Sequence, residues 1–108
     1  MTVGDIHWIE LPAAMGHEQS GRRPAVIVQD KAAAKILPVV LVVPLTTATS
    51  TLRFPGTVQI QPDSDNGLSQ PSIALVFQLR AVDRRRIGGR TGNGTGNGDA
   101  ASIRAETA

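Results

Sequence analysis

Short aliphatic and β-branched runs alternate along this chain with clusters of Gly, Pro, Asn, Asp and Ser, a rhythm that argues for antiparallel strands joined by turns. Strands are expected near residues 5–11, 23–29, 38–45, 56–61 and 72–82. In the last run Ile73, Leu75, Phe77 and Leu79 alternate with Ser72, Ala74, Val76, Gln78 and Arg80. A single strand there would bury the first set and turn Gln78 and Arg80 to the other face. The segment Asp30-Lys31-Ala32-Ala33-Ala34-Lys35 has helical propensity but is too short to be more than a helical bridge between strands. Strands this short and this evenly spaced favour a closed or half-closed barrel, because closure removes the exposed edges of a small sheet. The expected fold is mainly β, a small SH3-like antiparallel barrel with short helical segments.

Residues 46–55 and 62–71 are rich in Thr, Ser, Pro, Asp and Gly, and read as surface loops where ligands are met. From Gly88 the chain changes character, with Thr-Gly-Asn-Gly repeated and almost nothing to bury. The expected organisation is one domain over residues 1–87 and a flexible, Gly-rich tail over 88–108, in which the last ten residues form at most a frayed turn of helix.

At 108 residues the chain fits one modest core. It has no cysteine, so no disulfide scaffold and no thiolate metal site is expected. With only His7 and His17 as imidazoles, no metal centre and no cofactor are expected either. The longest apolar run, Ile36–Leu45, contains prolines and falls short of the roughly 20 residues of a membrane-spanning helix. The start of the chain lacks the basic and apolar regions of a secretory signal, so a cytoplasmic location is expected. Net charge is only +2, but Arg80, Arg84, Arg85, Arg86 and Arg90 face Asp83 alone in their segment. Arginine outnumbers lysine, and its planar fork suits phosphate and stacks on bases, which makes a nucleic-acid partner plausible.

The chemistry concentrates in Gly16-His17-Glu18-Gln19-Ser20-Gly21-Arg22-Arg23-Pro24, between two apolar runs. A plain hairpin needs only a few small turn residues. This one holds a carboxylate, an amide, an imidazole and two guanidiniums, which together suggest an anionic ligand. Pro24 holds the backbone of Arg23 extended. The later run Val39–Leu45 ends in Thr46-Thr47, which puts hydroxyls at a strand exit, with Thr47 expected to face away from Thr46 if the strand continues. The competing readings are a surface pair of Arg23 with Glu18 and a turn-capping Thr46. His7 reads as a wall position of the barrel with a satisfied ring nitrogen, and Trp8 as core or dimer packing. Arg53 and Phe54, on the loop after Thr46, are candidates for contact with RNA.

The succession Gly4-Asp5-Ile6-His7-Trp8-Ile9, then Gly-x-Glu-Gln-x-Gly-x-Arg-Pro, then Val-x-Pro-Leu-Thr-Thr resembles the MazF/PemK family of toxin endoribonucleases. The resemblance reaches residue 87 through a segment similar to the family's Gly-Leu, Ser-x-Ala-Leu and Gln-x-Arg-x-x-Asp-x-x-Arg block, which Gln78 and Arg80 match directly. It departs at Phe77, where relatives often have an acidic or polar residue, at His17, where many have serine, and at the carboxyl end, where they usually add an amphipathic helix.

The resemblance implies a MazF/CcdB-like barrel and a metal-independent, sequence-specific cut of single-stranded RNA (mRNA), leaving 2′,3′-cyclic phosphate and 5′-hydroxyl ends. It implies Arg23, Thr46 and Glu18 as catalytic residues, with Glu18 either taking the proton of the attacking hydroxyl or orienting Arg23. RNA contacts are expected from His17, Gln19, Arg22, Thr47, Arg53, Phe54, Gln78 and Arg80. The implied partners are a cognate antitoxin protein and a second copy in a homodimer. Two other readings stand beside this one: a non-catalytic or decayed relative that binds a protein such as a topoisomerase, and a barrel that holds nucleic acid mainly through the arginines at 80–90.

Overall fold

The computed structural model describes residues 3–11, 21–29, 32 and 36–93. The bridge expected at 30–35, Ala32 apart, and everything expected beyond residue 93 lie outside them. Seven strands are described: β1 (Asp5–Leu11), β2 (Gly21–Ile27), β3 (Val39–Thr46), β4 (Thr57–Ile60), β5 (Ser72–Leu75), β6 (Arg80–Asp83) and β7 (Ile87–Asn93). They form one sheet in the order β4-β5-β3-β2-β1-β7, with β6 also on β3, and every described pairing is antiparallel.

The centre of the sheet buries both its faces, which is why β3 reads as an unbroken apolar run. Val43 and Leu45 join Ile6, Val26, Ile60, Ala74 and Val76 in one cluster. Val40 and Val42 join Ile9, Leu11, Ala25, Ile27 and Val82 in the other. The partition follows strand parity on β2 as well, with Val26 on one side and Ala25 and Ile27 on the other.

Among the described residues no ladder joins β4 to β7, so the barrel is not closed by strand pairing. The turn after β4 bridges the opening. Asn66 is fully buried, and its side-chain amide donates to Gln61 O at 2.8 Å while its oxygen accepts from Leu68 N at 3.0 Å and Asp63 N at 3.2 Å. Its own carbonyl lies 3.1 Å from Thr91 Oγ1 on β7.

Two expectations are corrected here. The single strand at 72–82 is two strands separated by a 3₁₀ turn, Val76–Gln78. Gly56 O accepts from both Val76 N (2.9 Å) and Phe77 N (3.3 Å), which curls the chain and inverts the alternation beyond Leu75. Val76 is buried, whereas Phe77 and Leu79 are 50% and 39% exposed. The glycine-rich segment, expected to be tail from Gly88, instead continues as β7 to Asn93. Composition misled because backbone pairing and close approach, not side-chain burial, hold this strand. Arg90 Nε donates to the buried carboxylate of Asp5 at 3.1 Å, and a Cβ at Gly92 would sit 2.1 Å from Asp65 O.

That contact yields a test. Gly92→Ala is expected to destabilise the protein by about 2 kcal/mol in urea titration, as overpacking does. Gly89→Ala, whose Cβ meets nothing within 4 Å, should stay within about 0.5 kcal/mol of the parent. Equal midpoints for the two variants would mean that β7 is not seated as described.

Candidate active site

The site arises where the β2–β3 ladder ends. Its pairing with β2 runs Ile27 opposite Val42, Val26 opposite Val43 and Ala25 opposite Pro44, and there it stops. The next hydrogen-bonded pair in this register would be Pro24 opposite Leu45, and Pro24 has no N–H to donate across to β3. On its other edge β3 pairs with β5, Leu45 opposite Ala74 and Thr46 opposite Ile73. The start of β2 and the end of β3 therefore splay apart and leave a cleft between them. Continuing the β2–β3 register brings Arg23 level with Thr46 without a hydrogen bond to hold the strands together.

A cavity of about 250 Å³ fills this gap, lined by Arg22, Arg23, Pro24, Leu45, Thr46, Thr47 and Ser72. Arg23 Nη1 lies 3.4 Å from the carbonyl of Leu45, which draws the guanidinium across the gap to β3. Burial, aided by the nearby positive charge of Arg80, lowers the Arg23 pKa from its ordinary value, yet a guanidinium remains charged at neutral pH. A guanidinium under positive charge from a neighbour favours an anion near it. Thr46 Oγ1 accepts from Ala48 N at 3.2 Å. The turn-capping role and a ligand role coexist, because the hydroxyl still has its own proton to donate.

Thr47 was expected to face away from Thr46 if the strand continued, but β3 ends at Thr46, and both residues line the cavity. Parity separates residues on the two faces of a flat sheet, but this cleft opens at a strand's end, between strands, and takes from both. Ser72 also lines it and was missed, because its place opposite the end of β3 depends on a β3–β5 register that no local pattern announces.

Gln78 and Arg80 line a second hollow of about 370 Å³ with Phe77 and Leu79. Arg80 Nη2 donates to Gln78 Oε1 at 3.1 Å, so the two stay together although they no longer share a strand face. Arg53 and Phe54 connect to this hollow through Phe77: Arg53 lies 4.8 Å over the Phe54 ring, whose centroid is 5.8 Å from that of Phe77. His17, Glu18 and Gln19 lie outside the described residues.

The arginines at 80–90 do not act as one patch. Arg85 grips Asp83 at 3.0 Å, and its hydrogen bonds hold that carboxyl at a pKa of about 2. Arg84 donates to Leu37 O at 2.9 Å and Arg90 pairs with Asp5. The positive charge of Arg80 acts on Arg23 and lowers its pKa. His7 Nδ1 lies 2.9 Å from Gly88 O and so is the donor nitrogen, as the wall-position reading expects. Trp8 is not core: it is 37% exposed, with the Arg22 guanidinium 5.1 Å from its ring centre.

Comparison with known proteins agrees with this geometry. A family model described as PemK-like, MazF-like toxin of type II toxin–antitoxin system matches residues 2–103. An Endoribonuclease MazF of Staphylococcus saprophyticus is 33% identical over 87 residues, spanning 81% of this chain and 72% of that protein. Among solved structures, MazF from Deinococcus radiodurans superimposes with a TM-score of 0.81 at 24% identity, covering 99% of this chain and 92% of the other. An endoribonuclease from a mycobacterial species, solved in complex with its cognate antitoxin, gives 0.72 at 20% identity, over 99% and 90% of the two chains.

Arg22 touches both the cavity and the sole tryptophan, Trp8, which supplies a built-in reporter. Pyrophosphate titrated into the protein should change Trp8 emission saturably, and Arg22→Ala should abolish the response. An unchanged titration in that variant would show that the anion binds elsewhere.

Proposed function

The chain belongs to the family of PemK-like, MazF-like toxins of type II toxin–antitoxin systems, and from that premise we propose that it cuts single-stranded RNA at chosen sequences without a metal ion. The reaction needs no covalent enzyme intermediate. The ribose 2′-hydroxyl attacks the adjacent phosphorus as its proton is taken up, the P–O5′ bond breaks, and the departing oxygen is protonated. The products are a 2′,3′-cyclic phosphate and a 5′-hydroxyl. Charge accumulates on the non-bridging oxygens during this step, and preorganised donors aimed there lower the barrier.

The observation that supports this reading best is that Arg23 and Thr46, distant in sequence, line one cavity at the break between two strands. In this account the Arg23 guanidinium holds the developing negative charge and the Thr46 hydroxyl donates to it. Arg80 raises the local positive potential from the adjoining hollow. Arg22 and Thr47 contact the neighbouring phosphate and ribose, and Gln78 reads a base edge. Glu18 serves in the same reaction either as the base or by fixing Arg23, with His17 and Gln19 contacting the RNA.

The proposed assembly is a homodimer acting on mRNA in the cytoplasm and silenced by a cognate antitoxin. Among the described residues no helix is long and apolar enough to cross a membrane. The family match over residues 2–103 and the pairing of β7 support a toxin domain that extends past residue 87.

Incubating the protein with a long RNA in EDTA and mapping the new 5′ ends tests the activity. Discrete cuts with 5′-hydroxyl ends are expected, and a single 2′-deoxy nucleotide at the cut position should abolish that cut. Arg23→Ala should lose on the order of 10²-fold or more in kcat. Cleavage of the deoxy substrate, or an Arg23→Ala variant of full activity, would refute the mechanism.

A further inference from the structure

We propose that Phe77, backed by Phe54, is a stacking platform for one nucleobase of the RNA next to the scissile phosphate, with Gln78 and Arg80 at its polar edge. This rests on the ribonuclease reading above and adds a specificity-determining residue to it.

The chain has two phenylalanines and one tryptophan, and the fold brings both phenylalanines into a single exposed pair. Their rings are 5.8 Å apart and tilted by 58°, while Phe54 and Phe77 keep 43% and 50% of their surface exposed. Leaving two aromatic rings half in water forgoes the burial that would otherwise stabilise the fold.

The exposure is built into the backbone. Phe77 N and Val76 N both donate to Gly56 O, which fixes the 3₁₀ turn that throws Phe77 outward. Gly56 adopts φ +73°, and a Cβ there would press on Phe77 Cβ at 3.4 Å. On the other side Phe54 N donates to Thr51 O at 3.0 Å, and its carbonyl accepts from Thr57 Oγ1 at 3.2 Å. Rings held this way lose little freedom when something stacks on them.

The setting selects the occupant. Phe77 shares its hollow with Gln78 and Arg80, and Arg80 is close enough to Arg23 to perturb it. The guanidinium of Arg53 lies over Phe54. An apolar peptide side chain would satisfy the rings and leave the surrounding cations unused. Each nucleotide of a single strand brings a flat π-face and an anion together, which is the combination that aromatic platforms flanked by arginine recognise. The hollow's volume of about 370 Å³ lies within the usual range for small-ligand sites, about 300–1,000 Å³. Arg80 lines this hollow and its charge acts on Arg23 in the cavity, so a base stacked here belongs to the strand whose phosphate meets Arg23.

The test uses the full chain, an oligonucleotide carrying one mapped cut site, and a series in which each nucleotide flanking the cut is made abasic in turn. Phe77→Leu keeps apolar bulk without a π-face and should lower kcat/KM on the intact oligonucleotide about ten-fold, the scale of one base–aromatic stack. Phe77→Trp should restore it. For the parent, removal of one particular flanking base should cost a similar factor, and at that position alone Phe77→Leu should add no further loss. Thermal melting checks that the variants fold. Losses that multiply at every position, or a Phe77→Leu enzyme with unchanged kcat/KM, would overturn the platform; if that variant bound the antitoxin more weakly instead, the pair would be a protein contact. A parent protein that cuts no RNA would sink the ribonuclease reading itself, an outcome separable from either of these.

Discussion

The structure turns on one constraint: the β2–β3 ladder runs out of a donor at Pro24, which lies level with Leu45. Proline offers no N–H to the carbonyl of Leu45, while on its other edge β3 pairs with β5. The candidate site follows from that missing donor. Had the ladder continued, Arg23 and Thr46 would be cross-strand neighbours in a filled sheet. Because it stops, they face each other across an opening, and the guanidinium reaches the carbonyl of Leu45 over the gap. A small protein thereby gains a polar cleft without cutting into either apolar cluster, since Val43 and Leu45 continue to pack on one side and Val42 on the other.

The same economy governs the rest of the barrel. Its pairing is left open between β4 and β7, and the opening is spanned by a turn around buried Asn66, not by another ladder. A buried amide is costly unless its donors and acceptor are used, and here they are. Glycines at 67 and 92 make the approach possible, because a Cβ at either would meet backbone at 2.1 Å. The glycine repeat is thus partly a packing device. Around the cleft, charge is also sorted: Arg84, Arg85 and Arg90 bind Leu37 O, Asp83 and Asp5, whereas Arg22 and Arg23 line the cavity and Arg80 the second hollow.

Much of this was legible in the chain before any coordinates. The run at 5–11 is β1 to the residue, β3 and β4 shift by one residue or so, and the Arg-Pro and Pro-Leu-Thr-Thr motifs marked the two strand ends that meet. What escaped was non-local. The break of 72–82 into two strands depends on Gly56, whose carbonyl captures Val76 and Phe77 from about twenty residues away in sequence. The exposure of Phe77 and Leu79, the sharing of one cavity by Thr46 and Thr47, and the place of Ser72 all descend from pairings that period-two alternation does not encode. The strand character of Gly88–Asn93 was hidden because its stabilisation lies in backbone contacts, and composition reports only side chains.

The central claim is that the gap opened at Pro24 holds the scissile phosphate between Arg23 and Thr46. A crystal structure of the protein with an oligonucleotide carrying 2′-deoxyribose at its cut position tests this most directly. The account predicts a backbone phosphate in the cleft, with its non-bridging oxygens at hydrogen-bond distance from the Arg23 guanidinium and the Thr46 hydroxyl. An oligonucleotide bound with its cut-site phosphate outside that cleft, and with those two side chains untouched, would contradict it.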